Sequence, residues 1–332
     1  MPRVNRLEKL MKTLSPDKDT LLKNIRDRFN ISGSANNTSK QDVSNGFEYL
    51  VSQWFSEIWQ VNFIDSSVEG QGSFVKWFGS VSNLSGAKSG DTDTLACFYG
   101  YKAIIESTLI TNAHQSSKEY APSVRHFDAL VKQGVLGSDS YIILVSPEIH
   151  QDTFSHFKSD HNHQCVLWTV KQLQLIYSKI KEIRAFRVTL THFRLQELII
   201  QSSRFLKTNN SFADYEAEFE SFLKNWLKDT LKENFSVLLA MASYRFLRER
   251  YANGHKTIGA TEVMTALQEN RIFQDYISTI AKVISVSEIK QAIEAYRIAK
   301  MIELSYQLEP LFTPFDLDDI EFEYRSFIRA LS

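Results

Sequence analysis

Cysteine is scarce in this chain of 332 residues, which has two, Cys97 and Cys165. Both sit inside apolar runs, TLACFYG and HQCVLWTV, and read as buried thiols of a reducing compartment. A disulfide framework needs more cysteines at closer spacing. Long apolar runs are missing too. No stretch approaches the roughly 18 consecutive apolar residues of a membrane span. The opening MPRVNRLEKLMKTL is charged throughout and lacks the apolar core of a signal peptide, so a cytoplasmic protein outside the membrane is expected. Nor is there an excess of either charge: 38 lysines and arginines face 39 acids, for a net charge of −1. A nucleic-acid binder with that balance must segregate its cations onto one face.

Glycine is scarce in one half only. After about residue 185 the chain has just Gly254 and Gly259, and long segments with helical periodicity follow one another. Before that point, short apolar runs alternate with polar, glycine-bearing stretches. The length fits two domains, and a hydrophobic share of 43% is enough for a sizeable core. The expected division is a mixed α/β domain over 1–184 and an all-helical domain over 185–332, serving recognition or assembly.

Within the first domain, residues 32–42 form a polar loop and a helix follows from about Val43 to Trp59. Its Phe47, Leu50, Val51, Trp54, Phe55 and Ile58 recur at three- and four-residue spacing. VSNLSGAKSGD (81–91) is a glycine- and serine-rich loop. Thr94–Tyr99 and Ala103–Leu109 are β-rich runs joined at Gly100-Tyr101 as a hairpin. A helix over about 120–133, strands at 141–145 and 166–170, a helix between those strands and another at 172–183 complete the domain. Beyond it, helices are expected at 192–207, 212–232, 235–252, 260–270, 273–284, 286–308 and 316–330.

The stretch GDTDTLACFYGYKAIIESTL (90–109) carries the chemistry. Asp93 precedes one strand and Glu106 lies near the end of the next, so the hairpin brings both carboxylates to the same end. A glutamate in a buried strand needs a partner or a metal. Asp91 competes with Asp93, but it stands two residues further from the strand. Two carboxylates, a carbonyl and water make a hard-ligand site suited to Mg²⁺, an ion that polarises phosphoryl groups and activates water.

This arrangement resembles the PD-(D/E)xK nuclease superfamily, in which an acid is followed, after ten to twenty residues, by Glu-x-Lys on an adjoining strand. Thr108 stands where the common pattern has lysine. Glu-x-Thr-Leu resembles the strand of AlwI-like type IIS restriction and nicking enzymes. QSSKEYAPSVRHFDAL (115–130), GFEYLVSQWF (46–55), YIILVSPEIHQDTFSHF and VLWTVKQLQLIY also look like segments of that subgroup, so the resemblance covers about 43–180. It implies a restriction-endonuclease-like α/β fold, with a central mixed sheet flanked by helices. It implies Mg²⁺-dependent hydrolysis of double-stranded DNA, with Asp93 and Glu106 as metal ligands and Glu48 as an auxiliary one. Gln115 or Lys118 would fill the role of the absent lysine. A homodimer or a partner subunit is implied for cutting both strands.

Other clusters read more plainly. His156, Asp160, His161, His163 and Cys165 match no paired-ligand spacing for zinc. SGAKSGD lacks the Gly-x4-Gly-Lys-Ser/Thr string of a nucleotide-binding loop, so no ATP site is expected, although Lys88 remains a candidate phosphate contact. Lys118, Arg125 and His126 are further candidates because they follow the Glu106 strand. Arg245, Arg248, Arg250 and Lys256 precede a turn and helix, and would lie on phosphates if that unit docks as a helix-turn-helix. A solvated helix face explains them equally well. The acidic DLDDIEFEY (316–324) is a poor DNA surface. Two alternatives stand beside the nuclease: a DNA-binding subunit of a multi-protein defence system, with a degenerate nuclease fold, or a nuclease subunit needing a separate ATP-driven partner.

Overall fold

A helix with an apolar residue at every third or fourth position organises the first part of the chain. The computed structural model describes residues 2–31, 37–64, 72–80, 84–88, 90–98, 100–186, 190–255, 258–298, 302–305 and 311–314. Two helices come first, α1 (Pro2–Thr13) and α2 (Lys18–Phe29), followed by the long α3 (Asn37–Trp59). Phe47, Leu50, Val51, Trp54, Phe55 and Ile58 of α3 are all buried, as the spacing predicts. The helix starts at Asn37, inside the segment expected as a polar loop.

The sheet follows: β1 (Asn62–Ile64), β2 (Phe74–Trp77), β3 (Thr94–Phe98), β4 (Tyr101–Ser107), then α4 (His114–Lys132), β5 (Tyr141–Ser146), α5 (Gln151–Ser159), β6 (Gln164–Thr169) and α6 (Val170–Ala185). The six strands lie in sequence order. β3 and β4 form the antiparallel hairpin, with Gly100 at φ +91° in its turn, a conformation open to glycine at little cost. β4, β5 and β6 are parallel, and each of these crossovers is a helix, the usual way of joining parallel strands. The mixed sheet flanked by helices is therefore observed. β1 and β2 escape a pattern-based reading because three and four residues are too short to show a period. The fourth helix begins at His114 rather than near Tyr120 and holds Pro122 in its interior.

The sheet unit comprises Met1–Lys179 with Thr191–Leu223, and the other unit Ile180–Leu190 with Lys224–Ser332. The first unit thus reaches past residue 184. α7 (His192–Thr208) and the start of α8 (Phe212–Glu233) pack on the sheet. Trp168 donates its indole N–H to Ser202 Oγ at 2.9 Å, and Tyr215 donates its hydroxyl to Leu167 O at 2.7 Å. Trp168 also stacks on Phe55 of α3, with ring centroids 5.9 Å apart. Buried aromatics from α3, β6 and α8 make one core.

In the second unit α9 (Phe235–Ala252), α10 (Ala260–Glu269), α11 (Arg271–Thr279) and α12 (Val286–Ile298) agree with the periodicity, with two corrections. α11 stops at Thr279, where the chain turns through Ala281 at φ +52°. α12 does not run to 308. Ile302–Ser305 (β7) pairs antiparallel with Leu311–Pro314 (β8), and Ile302 and Leu304 alternate with Glu303 and Ser305 at the strand period. The helical region therefore includes one two-stranded ribbon. The helix expected over 316–330 lies outside the described residues. Among those described, no helix is long and apolar enough to cross a membrane.

Cys165 is buried as expected, whereas Cys97 is only half-buried, near the turn of the hairpin. The histidine-bearing turn before β6 is a carboxylate–imidazole knot. His163 Nδ1 lies 2.7 Å from Asp160 Oδ2 and its Nε2 lies 3.2 Å from Asp128 Oδ1. His156 instead meets Ser116 Oγ at 2.6 Å.

Candidate active site

The register of the hairpin sets the two acids opposite each other. Thr94 pairs with Ile105, so Asp93 and Glu106 occupy the next position on one face. Ser107 N donates to Asp93 Oδ2 at 2.8 Å, and Asp93 N approaches Glu106 Oε2 at 3.4 Å. Asp93 also remains tied to the sheet, its carbonyl accepting from Phe78 N at 3.0 Å.

Glu48 comes from α3. Ser52, one turn on, donates its hydroxyl to Glu48 O at 2.7 Å or shares it with Thr94 Oγ1 at 2.6 Å, which locks this helix to the residue after Asp93. The loop 84–88 closes from the other side. Asn45 donates to Leu84 O at 2.7 Å, and a Cβ at Gly86 would lie 2.6 Å from Asn45 Oδ1 and 3.2 Å from Glu48 Oε2. Only glycine fits that approach without displacing one of them. Glu48 Oε2 is buried and has no hydrogen-bond partner.

Two further side chains reach the cluster from α4. His126 Nδ1 lies 3.0 Å from Glu106 Oε1, with side-chain exposures of 11% and 7%. His126 is thus a buried neighbour of a strand carboxylate, and its Nε2 is buried without a partner. Glu119 stands seven residues earlier, two helical turns back on the same face, and is hydrogen-bonded by Thr108. A search for strand acids misses Glu119; its seven-residue spacing to His126, close after the Glu106 strand, is the signal that finds it.

The electrostatics bind these acids together. Burial pushes the Glu48 carboxyl up to about 8, offset in part by the nearby Trp77 indole and reinforced by the charges of Glu106 and Glu119. Burial, then Glu48 and Glu106, hold Asp93 well above the usual carboxylate range against the Ser107 N–H. Glu119 is raised by burial and by Glu106, while Thr108 and Lys118 pull it down. Like charges crowded in low dielectric disfavour ionisation.

Among the described residues, no group of three His, Cys, Asp or Glu side chains is gathered closely enough to hold a metal ion unaided. The donor chemistry still suits a hard divalent cation. The donors are oxygens, one of them a buried and unpartnered carboxylate oxygen, and Mg²⁺ needs only one or two carboxylates beside water and substrate phosphate.

Gln115 also ties two loops together. Its buried amide nitrogen donates to Ile110 O at 2.6 Å, Glu148 O at 2.8 Å and Ser146 Oγ at 3.0 Å, and its oxygen accepts from His150 N at 2.8 Å. It staples the loop after β4 to the loop after β5. Gln115→Ala orphans these groups and is expected to cost about 3 kcal/mol, read as a lower melting temperature. A polarising role would instead lower activity with the melting temperature intact.

Lys118 and Arg125 are exposed on α4, and Lys88 is exposed in the 84–88 loop. In the second unit, Arg245 is exposed. Arg250 pairs with Glu262 and lies over the Phe246 ring at 5.9 Å, so part of that basic set is neutralised locally. The Arg248 side chain and Lys256 lie outside the described residues.

Residues 83–176 match the family model described as AlwI restriction endonuclease. That stretch contains Asp93, Glu106, Gln115, Glu119 and His126, and begins after Glu48. No curated protein matches the chain in sequence. Among solved structures, the small subunit (R.BspD6I2) of the heterodimeric restriction endonuclease R.BspD6I is similar over 61% of this chain and 98% of that one. The identity is 16% and the TM-score 0.41. Over the segment holding the strand acids, the chain is similar to type II restriction endonucleases of the AlwI kind.

Proposed function

We propose that this chain is a Mg²⁺-dependent DNA endonuclease of the type II restriction kind. The observation that carries the reading is the cluster of Asp93, Glu106, Glu48 and Glu119 at one end of the central hairpin, with Asp93, Glu48 and Glu119 held protonation-prone by burial and then by one another's charge. A fold gains nothing in stability from such a cluster, and perturbed carboxylates of this sort collect at functional sites.

In this reading Asp93 and Glu106 hold the ion, and Glu48, with its unpartnered Oε2, assists. When bound, the ion supplies Lewis-acid polarisation of the phosphodiester. The chain's own residues fix the geometry. Ser107 N–H orients Asp93, and His126 Nδ1, 3.0 Å from Glu106 Oε1, positions that carboxylate. His126 Nε2 is buried without a hydrogen-bond partner. Thr108, standing in the position of the usual lysine, is spent on Glu119, so the positive charge of that lysine has no equivalent on β4. Each chain contributes one such site, and cutting both strands of a duplex calls for a second copy or a partner subunit. One copy is enough for nicking.

The test is incubation of supercoiled plasmid with the purified chain in Mg²⁺ and in EDTA. Conversion to nicked circles or discrete linear fragments in Mg²⁺ alone is the expected result. DNA binding with no cleavage in Mg²⁺ or Mn²⁺ would overturn the nuclease reading in favour of a binding subunit, and cleavage restored by a partner fraction with ATP would identify the partner-dependent form.

A further inference from the structure

We infer that the N-terminal helical hairpin α1–α2 is the surface on which the duplex backbone lies. This rests on the nuclease reading for the identity of its partner. The whole chain is net −1, yet its first 31 residues hold eight lysines and arginines against four acids. That is the segregation of charge a near-neutral DNA binder requires.

Of these cations Arg6 is paired with Glu57 at 3.5 Å, and others stay open to solvent. Lys9, Lys12 and Lys23 are exposed, and among the described residues no ion pair holds any of them. Of the acids in the segment, Asp17 is engaged as the cap of α2, accepting from Thr20 N at 2.9 Å, while Asp19 and Asp27 are exposed and leave the segment a net excess of cations. The helix segments that carry the three lysines lie side by side. Asn24 Nδ2 donates to Lys12 O at 3.1 Å and Thr13 O at 3.3 Å, and Arg28 reaches Thr13 Oγ1 at 3.4 Å. The last turn of α1, with Lys9 and Lys12, is thereby set beside the stretch of α2 that carries Lys23 and Arg28.

The hairpin is also fixed relative to the carboxylates. Leu7, Leu10, Met11, Leu14, Leu21 and Ile25 are buried beneath it. A Cβ at Gly46 of α3 would lie 2.8 Å from Ile25 Cγ2, so α2 rests directly on α3 two residues before Glu48. At its other end, Lys18 Nζ donates to Thr111 Oγ1 at 2.7 Å, in the loop that leaves the Glu106 strand. A rigid basic platform therefore abuts two of the elements that build the acidic site. A cluster of carboxylates repels a polyanion, and phosphate contacts beside it supply the attraction that brings the backbone near.

The experiment uses the full chain, a fluorescently labelled duplex of about 30 base pairs and EDTA to prevent cutting, with polarisation read between 50 and 200 mM salt. K9E/K12E/K23E is expected to weaken binding about 30-fold or more and to reduce the salt slope by roughly 2.7, about 0.9 for each phosphate no longer neutralised. Lys12 also favours the C-terminal dipole of α1; if that is its whole role, reversal lowers the melting temperature and leaves affinity and slope unchanged. Unchanged affinity and slope overturn the inference, and if the wild type still cleaves plasmid, the nuclease reading survives that failure. A wild type that binds through these lysines but never cuts leaves the surface in place and removes the nuclease. A wild type that neither binds nor cuts removes both.

Discussion

Glu106→Gln is expected to lower DNA cleavage by about 10³-fold or more, equivalent to roughly 4 kcal/mol of transition-state stabilisation, with the melting temperature unchanged or higher. Glutamine keeps the shape of the side chain and an oxygen beside His126 Nδ1, so the strand and its neighbours stay in place. It loses the negative charge, which under the proposed nuclease reading is what a divalent cation takes from this position. Asp93→Asn should behave in the same way, because an amide oxygen can still accept from Ser107 N. The two losses should fall far short of additive, since residues acting as one unit fail together. Plasmid cleavage, run beside thermal melts of the same preparations, decides the matter. Activity within about tenfold of wild type for both variants would place the chemistry elsewhere in the molecule.

The second large effect has the opposite direction. Glu48→Gln should raise the melting temperature of the metal-free protein above pH 8, by an amount on the order of 5 °C. The sign follows from linkage. The Glu48 carboxyl titrates near 8 in the folded chain, against an ordinary value of 4.5. Between those values the folded chain holds a proton that the unfolded chain gives up, so stability falls as pH rises through this window and the loss is complete above about 8. Glutamine removes that penalty. The wild type and variant should therefore melt close together near pH 4.5 and separate towards pH 8.5. The same substitution should weaken cleavage, the usual exchange of activity for stability at a strained site. A lower melting temperature for the variant at pH 8.5 would mean that the carboxylate stabilises the fold.

Much of this is legible from the residues. The aromatic spacing of α3, the turn at Gly100 and the parallel strands β5 and β6 announce themselves by period and length. The opposition of Asp93 and Glu106 follows from the hairpin alone. Glu48 is harder, because its role depends on Ser52 and Gly86, whose closeness is a tertiary fact. The structural part that Gln115 plays is hidden for the same reason. Its position after the Glu106 strand suggests chemistry, whereas the loops it ties together are visible only once β5 is in place. His126 reads as a surface residue near DNA, and the fold turns it inward onto Glu106. The leading helices are marked by Leu7, Leu10, Met11 and Leu14, which recur at helical spacing, but the charges among them make the stretch read first as charged throughout.

The Gln115 staple also bears on how such a scaffold can change its target. Because one buried amide couples the loops after β4 and β5, those loops cannot diverge independently. A residue inserted in either one pulls on the other and on the strand end that bears Glu106. New specificity is therefore easier to graft onto segments that this amide does not join, and libraries aimed at retargeting the protein should leave residues 110–115 and 146–150 untouched.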